Sequence, residues 1–338
     1  MNRIGGSEFR RGGSELWPNF FIVGAAKAGT TSLYAYLRQH PDIFMPEDVK
    51  EPHYFAEVRP SRAQRYASPV YISDRDAYLR LFRAGKTHRA IGEASPSYLW
   101  SEAAPARIHA VAPEARIIII LRDPIERAYS HYLMDFREGA QHLPFFEALQ
   151  ADWHSPEKGW AVSNLYVELG FYARQIERYL RLFGEERVHI LFHDDLRRLA
   201  QGDREGLAAI LRFLDVDVGP LARIDTSRVE NGFAAPRAEW ARRIAGAHWA
   251  RWIGNTFVPH RLGAFIFNRF FVKASPPPPM DPRARDWLAA MFEPEIRAVE
   301  TLLARHLPQL RHAGAGAGAT APMAAAVTMP AAAIAEGR

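Results

Sequence analysis

Asn19-Phe20-Phe21-Ile22-Val23-Gly24-Ala25-Ala26-Lys27-Ala28-Gly29-Thr30-Thr31-Ser32 is the stretch that decides the fold. Phe20 to Val23 is a short unbroken apolar run bounded by Asn19 and Gly24, which predicts a buried strand. A loop of small residues continues to Thr31, and residues 32–39 are expected to be the body of a helix. Strand, small-residue loop and helix in that order make a mononucleotide-binding βα turn. Small residues let backbone N–H groups approach an anion, and the helix N-terminus adds positive potential. Lys27, Thr30 and Thr31 contribute a charge and two hydroxyls. The candidate anion ligands are therefore Lys27, Ala28, Gly29, Thr30, Thr31 and Ser32.

The loop departs from the phosphate loop of nucleoside triphosphatases, where a lysine follows the second glycine. Here Thr30 follows Gly29 and the lysine stands earlier, at position 27. Further along come His40-Pro41 and then Lys50-Glu51-Pro52-His53-Tyr54-Phe55. The whole series resembles the 5′-phosphosulfate loop region of sulfotransferases that use PAPS (3′-phosphoadenosine 5′-phosphosulfate). It is closer to the heparan-sulfate-type, bacterial sulfotransferase-domain branch than to the cytosolic aryl type. That resemblance implies PAPS as cofactor, 3′,5′-ADP as product, and a P-loop-containing three-layer α/β fold with a central parallel sheet flanked by helices.

Pro52 fixes its own φ and biases Glu51 toward extended backbone, so Glu51 and His53, two apart, are expected to point to one side. A carboxylate and an imidazole would then face the loop together. Glu51 is the candidate general base and His53 its orienter or substitute. The position of Glu51 matches the catalytic glutamate of the heparan-type family. The competing role for Glu51 is an ion pair with Lys50 or an arginine on a solvated loop.

Three further segments carry the resemblance. Residues 116–121, Arg-Ile-Ile-Ile-Ile-Leu, form a continuous apolar run expected of a parallel strand covered on both faces. Asp123 is a good helix N-cap and Pro124 a good first helical residue, which puts Arg122 at the carboxyl end of that strand, where α/β sheets bind ligands. Arg122-Asp123-Pro124-x-x-Arg127-x-x-Ser130 resembles the family's 3′-phosphate motif, which assigns Arg122 and Ser130 to that phosphate. Read without the family, the segment is a capped helix with an Asp123–Arg127 pair at i, i+4. Later, Asn231-Gly232-Phe233 resembles the third cofactor segment; relatives often carry a basic residue before that glycine, a charge Arg228 or Arg237 would supply here. Glu93-Ala94-Ser95-Pro96-Ser97-Tyr98 resembles the family's Glu-Lys-Thr-Pro-x-Tyr, with Ala94 where a lysine often stands.

The rest of the chain alternates helix and strand, as a parallel α/β fold requires. Helices are expected over residues 73–84 (Ser73 and Asp76 at capping-box spacing), 105–111, 163–183, 206–214 and 281–305, the last kinked at Pro294, with a strand over 187–192. His193 and Asp194-Asp195 follow that strand as a helix cap rather than a metal site. Residues 240–271, rich in Trp, Phe and Arg, are expected to be core helices in preference to a mobile acceptor-side lid. The expected organisation is a linker or tag at 1–16, one domain at 17–312, and a disordered Ala/Gly-rich tail at 313–338.

The chain has 338 residues, 48% hydrophobic and 24% charged, ordinary for a globular protein. A net charge of +5 without a basic run suits anionic small molecules and argues against nucleic acid. Cysteine is absent, which excludes disulfides and thiolate metal sites and points to a reducing, cytoplasmic setting. No apolar run approaches the ~20 residues of a membrane span. The expected partner is a small-molecule or carbohydrate acceptor, with no metal. A P-loop small-molecule kinase would need a lysine after Gly29 and an acidic magnesium ligand at a strand end. A non-catalytic nucleotide-binding protein on the same fold is the third possibility.

Overall fold

The computed structural model describes residues 15–58, 71–227, 234–236, 272–275 and 277–311. Strand β1 (Phe20–Gly24) is buried at every position, as the short apolar run requires. Helix α1 (Thr30–Leu37) follows the loop and starts two residues earlier than the sequence suggests, so Thr30 and Thr31 lie in its first turn. A short edge strand β2 (Ile43–Phe44) leads to the Lys50–Phe55 segment. Next come α2 (Arg75–Arg80), β3 (Ala90–Ala94), α3 (Ser97–Trp100), α4 (Ala104–Val111) and β4 (Arg116–Leu121). Then follow α5 (Pro124–Arg137), α6 (Phe145–Trp153), α7 (Tyr172–Phe183), β5 (Val188–Phe192), α8 (His193–Ala200) and α9 (Arg204–Phe213). The small antiparallel pair β6 (Ala234–Pro236) and β7 (Val272–Ala274) precedes helix α10 (Pro282–Leu302).

The five strands β1 to β5 form one parallel sheet in the order β2-β3-β1-β4-β5, flanked by helices, the α/β architecture expected. The chain runs from β1 to β2 and β3 on one side and then crosses from β3 to β4 on the other, so the strand order reverses about β1, the usual ligand position at the carboxyl ends of open α/β sheets. The centre is dry: Phe21, Ile22 and Val23 of β1 and Ile117 to Leu121 of β4 are fully buried. An Asp123 carboxylate oxygen accepts from the N–H groups of Ile125 and Glu126, so the capped start of α5 is as expected.

Three local expectations need correction. Residues 163–183 are not one helix: Leu165 has φ 54°, a single 3₁₀ turn spans Glu168–Gly170, and α7 starts at Tyr172. Leu165 and Leu169 are core residues all the same. At Gly170 a Cβ would lie 2.6 Å from the ring of Phe292, so α10 packs where a helix side chain would have to go. Second, α2 is capped by Asp74, whose carboxylate accepts from Ala77 N–H, and not by the Ser73/Asp76 box. Third, Arg127 is no surface partner in a helical ion pair. It is fully buried and donates to the carbonyl of Tyr166, tying α5 to the turn before α7.

Candidate active site

Gly29 shapes the loop. Its φ of 103° is a conformation L side chains rarely adopt, and a Cβ would meet Leu196 Cδ1 at 2.5 Å. Leu196 belongs to α8, and His193 at the start of that helix places Nδ1 3.1 Å from the carbonyl oxygen of Ala28. The loop is therefore braced from the far edge of the sheet. Sequence reasoning treated His193 only beside Asp194 and Asp195; its bracing role has no local signal, because Ala28 lies 165 residues away. Asp195 does the capping work expected of it, accepting from the N–H of Phe192.

The first amides of α1, at Thr30 and Thr31, precede the helix's own acceptors, Ser32 N–H already donates to the Gly29 carbonyl, and no acidic side chain stands in that turn. Thr30 and Ser32 are buried and Thr31 partly so. Lys27, at φ 67°, keeps its side chain against α5, with Nζ 3.3 Å from Met134 Sδ. Burial, reinforced by Arg137 and Arg122 and opposed by Glu138 and Asp135, lowers the Lys27 pKa to about 8. A thioether is a weak acceptor, so this ammonium sits largely desolvated against α5. The cradle suits a phosphate or phosphosulfate oxygen in charge, size and donor type.

Arg122 leaves the carboxyl end of β4 and donates Nη1–H to the carbonyl oxygen of Lys27 at 3.0 Å. Its own carbonyl accepts from Tyr172 Oη at 2.9 Å. The guanidinium thus touches the loop, while α7 holds the residue's backbone. Ser130 lies in the second turn of α5, partly exposed. Gly232, Phe233 and Arg237 lie outside the described residues, as do Arg228 and residues 240–271.

Glu51 and His53 do come together, but not by extended backbone. Both have positive φ, 61° at Glu51 and 54° at His53. The proline bias is overridden by anchors on every side: Pro52 carbonyl accepts from Ile72 N–H, and His53 N–H donates to Ser95 Oγ at 3.1 Å. Phe55 N–H donates to Tyr98 Oη, and Phe55 packs edge-on against Phe21, Tyr78 and Tyr98. In the result His53 Nε2 lies 3.9 Å from Glu51 Oε2, and Lys50 Nζ pairs with Glu51 Oε1. Glu51 therefore has the lysine partner of the ion-pair reading and also faces the imidazole. His53 is 1% exposed, and burial pushes its pKa down to about 4 despite the nearby Glu51 carboxylate. It is neutral at pH 7.

Glu93, the first residue of the Glu-Ala-Ser-Pro-Ser-Tyr segment, is a site feature sequence reasoning missed. It is 1% exposed at the end of β3, beside the buried hydroxyls of Tyr98 and Tyr78. Burial pushes its pKa up to about 8, against the opposing pull of the Tyr98 and Tyr78 hydroxyls. Among the described residues no group of three or more His, Asp or Glu side chains could hold a metal ion, and no helix is long and apolar enough to cross a membrane.

A glycine loop after β1, an arginine after β4 and a Glu–His pair after β2 follow the carboxyl ends of strands of one parallel sheet, the usual ligand position in such a fold. The family model described as "Sulfotransferase family" matches residues 18–220, and the chain belongs to that family. Among its relatives is the bifunctional heparan sulfate N-deacetylase/N-sulfotransferase 3 of Homo sapiens, 32% identical over 185 residues, which are 53% of this chain and 20% of that protein. Carbohydrate sulfotransferase 15 of Rattus norvegicus is 27% identical over 301 residues, 74% of this chain and 52% of the relative. The chain thus spans about a fifth of the bifunctional enzyme and about half of the carbohydrate sulfotransferase. The crystal structure of a sulfotransferase from Alicyclobacillus acidocaldarius superposes with a TM-score of 0.63 at 30% identity, covering 88% of this chain and all of the other.

Arg122→Ala is expected to weaken 3′,5′-ADP binding much more than 5′-AMP binding. A charge-assisted contact at that strand end is worth roughly 1.5–3 kcal/mol. Titration calorimetry with both nucleotides checks it. Equal losses would mean that Arg122 serves the loop through the Lys27 carbonyl and does not read the 3′-phosphate.

Proposed function

We propose that this chain transfers a sulfuryl group from PAPS to a hydroxyl or amine of a carbohydrate or other small acceptor, with Glu51 as the general base. The observation that carries the reading is the place of Lys27. It stands inside the loop at positive φ, ahead of Gly29, with a desolvated ammonium, where a nucleoside triphosphatase has its lysine at the helix start. The carbohydrate relatives support the acceptor class.

Lys27, the amides of Gly29 to Thr31, and the hydroxyls of Thr30, Thr31 and Ser32 would hold the 5′ end of the donor, while the Ala28 N–H is spent on the Ala25 carbonyl. Arg122 and Ser130 would take the 3′-phosphate, with Gly232, Phe233 and Arg237 closing over the adenosine. PAPS when bound supplies an activated sulfuryl group whose leaving group is 3′,5′-ADP. Lys27, still mostly protonated at pH 7 with its pKa lowered by burial to about 8, is poised to place positive charge where the leaving phosphate gains negative charge. Glu51 takes the proton of the acceptor, and neutral His53 steadies the Glu51 carboxylate from its Nε2 side.

Nucleotide binding tests the class of chemistry. The expected result is tight binding of 3′,5′-ADP without magnesium and weaker binding of ATP, followed by label transfer from PAPS to carbohydrate hydroxyls or amines. Tighter binding of ATP with magnesium would favour a kinase and overturn the proposal.

A further inference from the structure

One short segment grips His53 at two points. Ser95 Oγ accepts its backbone N–H, and Ser97 Oγ lies 2.6 Å from ring Nδ1. His53 and Ser97 are 1% and 0% exposed, so solvent does not compete for the contact. The other ring nitrogen, Nε2, faces Glu51 Oε2 at 3.9 Å and has no hydrogen-bond partner among the described residues. Trp160 covers the ring, with centroids 5.7 Å apart.

A neutral imidazole carries one hydrogen, and its neighbours decide which nitrogen holds it. A lone pair on Nε2 directed at the Glu51 carboxylate would be repelled, whereas an N–H there is attracted. A bare Nδ1 can accept from the Ser97 hydroxyl, which is free to rotate toward it. Both ends of the ring select the same tautomer.

We infer that Ser97 is a positioning residue whose hydroxyl donates to His53 Nδ1 and so fixes the ring hydrogen on Nε2, facing Glu51. The inference rests on the proposed role of Glu51. With Nε2 protonated, His53 has no lone pair to offer an acceptor hydroxyl. It can only donate, which leaves proton abstraction to the Glu51 carboxylate and steers that carboxylate's orientation.

Nitrogen NMR on the full chain, labelled with ¹⁵N-histidine and assigned against His53→Gln, reads the tautomer directly. The expected parent spectrum at pH 7 has His53 Nε2 protonated and Nδ1 bare and accepting. Ser97→Ala is expected to give a tautomer mixture and to lower kcat about tenfold, the worth of roughly one hydrogen bond, with 3′,5′-ADP affinity unchanged. Ser97→Thr restores both. An Nδ1–H tautomer in the parent, or a Ser97→Ala variant with parental tautomer and kcat, overturns the inference. Should Ser97→Ala fail to fold, the parent tautomer and Ser97→Thr decide it alone. Failure to bind 3′,5′-ADP would strike at the sulfuryl-transfer reading and leave the tautomer result standing.

Discussion

Glu51→Gln is expected to keep 3′,5′-ADP affinity and to lower the transfer rate by about 10²- to 10⁴-fold, while His53→Ala does less damage. Glutamine preserves the size of the side chain and can still accept from Lys50 Nζ, but it turns an NH2 toward His53 in place of the second carboxylate oxygen, so the change removes basicity together with that attraction. The geometry that aims Glu51 is not carried by glutamate itself. It comes from the anchors at Pro52, His53 and Phe55, which the substitution leaves in place. His53, neutral because burial lowers its pKa to about 4, is a donor in this arrangement, and its loss costs orientation. Single-turnover kinetics with PAPS separate the two effects. A Glu51→Gln enzyme at the parental rate, beside a dead His53→Ala enzyme that still binds nucleotide, would make His53 the base and Glu51 a loop ion pair.

Glu93→Gln is expected to stabilise the protein at alkaline pH and to do little in acid. In the unfolded chain this carboxyl titrates near 4.5, and in the folded protein near 8, because it is buried. Between those values the folded state binds more protons than the unfolded state, so stability falls as pH rises through the window. Below 4.5 both states are protonated and the cost vanishes. Glutamine mimics the protonated carboxyl and removes the dependence. At 1.36 kcal/mol per pKa unit, the variant's advantage should grow by on the order of 3 kcal/mol between pH 5 and pH 8.5. Urea unfolding of both proteins at the two pH values measures it. An advantage of equal size at both would mean that Glu93 is ionised in the folded protein.

The sheet was legible because its strands are written as unbroken apolar runs. β1, β4 and β5 fall where Phe20 to Val23, residues 116–121 and residues 187–192 placed them. Arg122 was legible too, since a strand end followed by Asp-Pro fixes its place before any packing is known. What the sequence hid is long-range. The positive φ values at Glu51 and His53 are imposed by Ser95, Tyr98 and Ile72, against the local preference that Pro52 sets. The break before α7 is imposed by Phe292 pressing on Gly170. His193, Met134 and Ser97 touch the site only because the sheet brings distant strand ends together. Assignments to Gly232, Phe233 and Arg237 rest on resemblance, since these residues lie outside the described part of the chain.

The brace that runs from His193 to the Ala28 carbonyl bears on how the proposed nucleotide affinity would arise during folding. The cradle is closed by a helix that follows the last strand of the sheet, so a nascent chain released before β5 holds the glycine loop without its support. High affinity should therefore emerge only once the fifth strand has docked. Any ligand selective for the finished cradle then draws the whole domain toward its native state by mass action. Protection by 3′,5′-ADP in a thermal melt would report on the integrity of the entire sheet, and amide exchange in β5 should slow on nucleotide binding although no β5 residue is assigned a contact with the ligand.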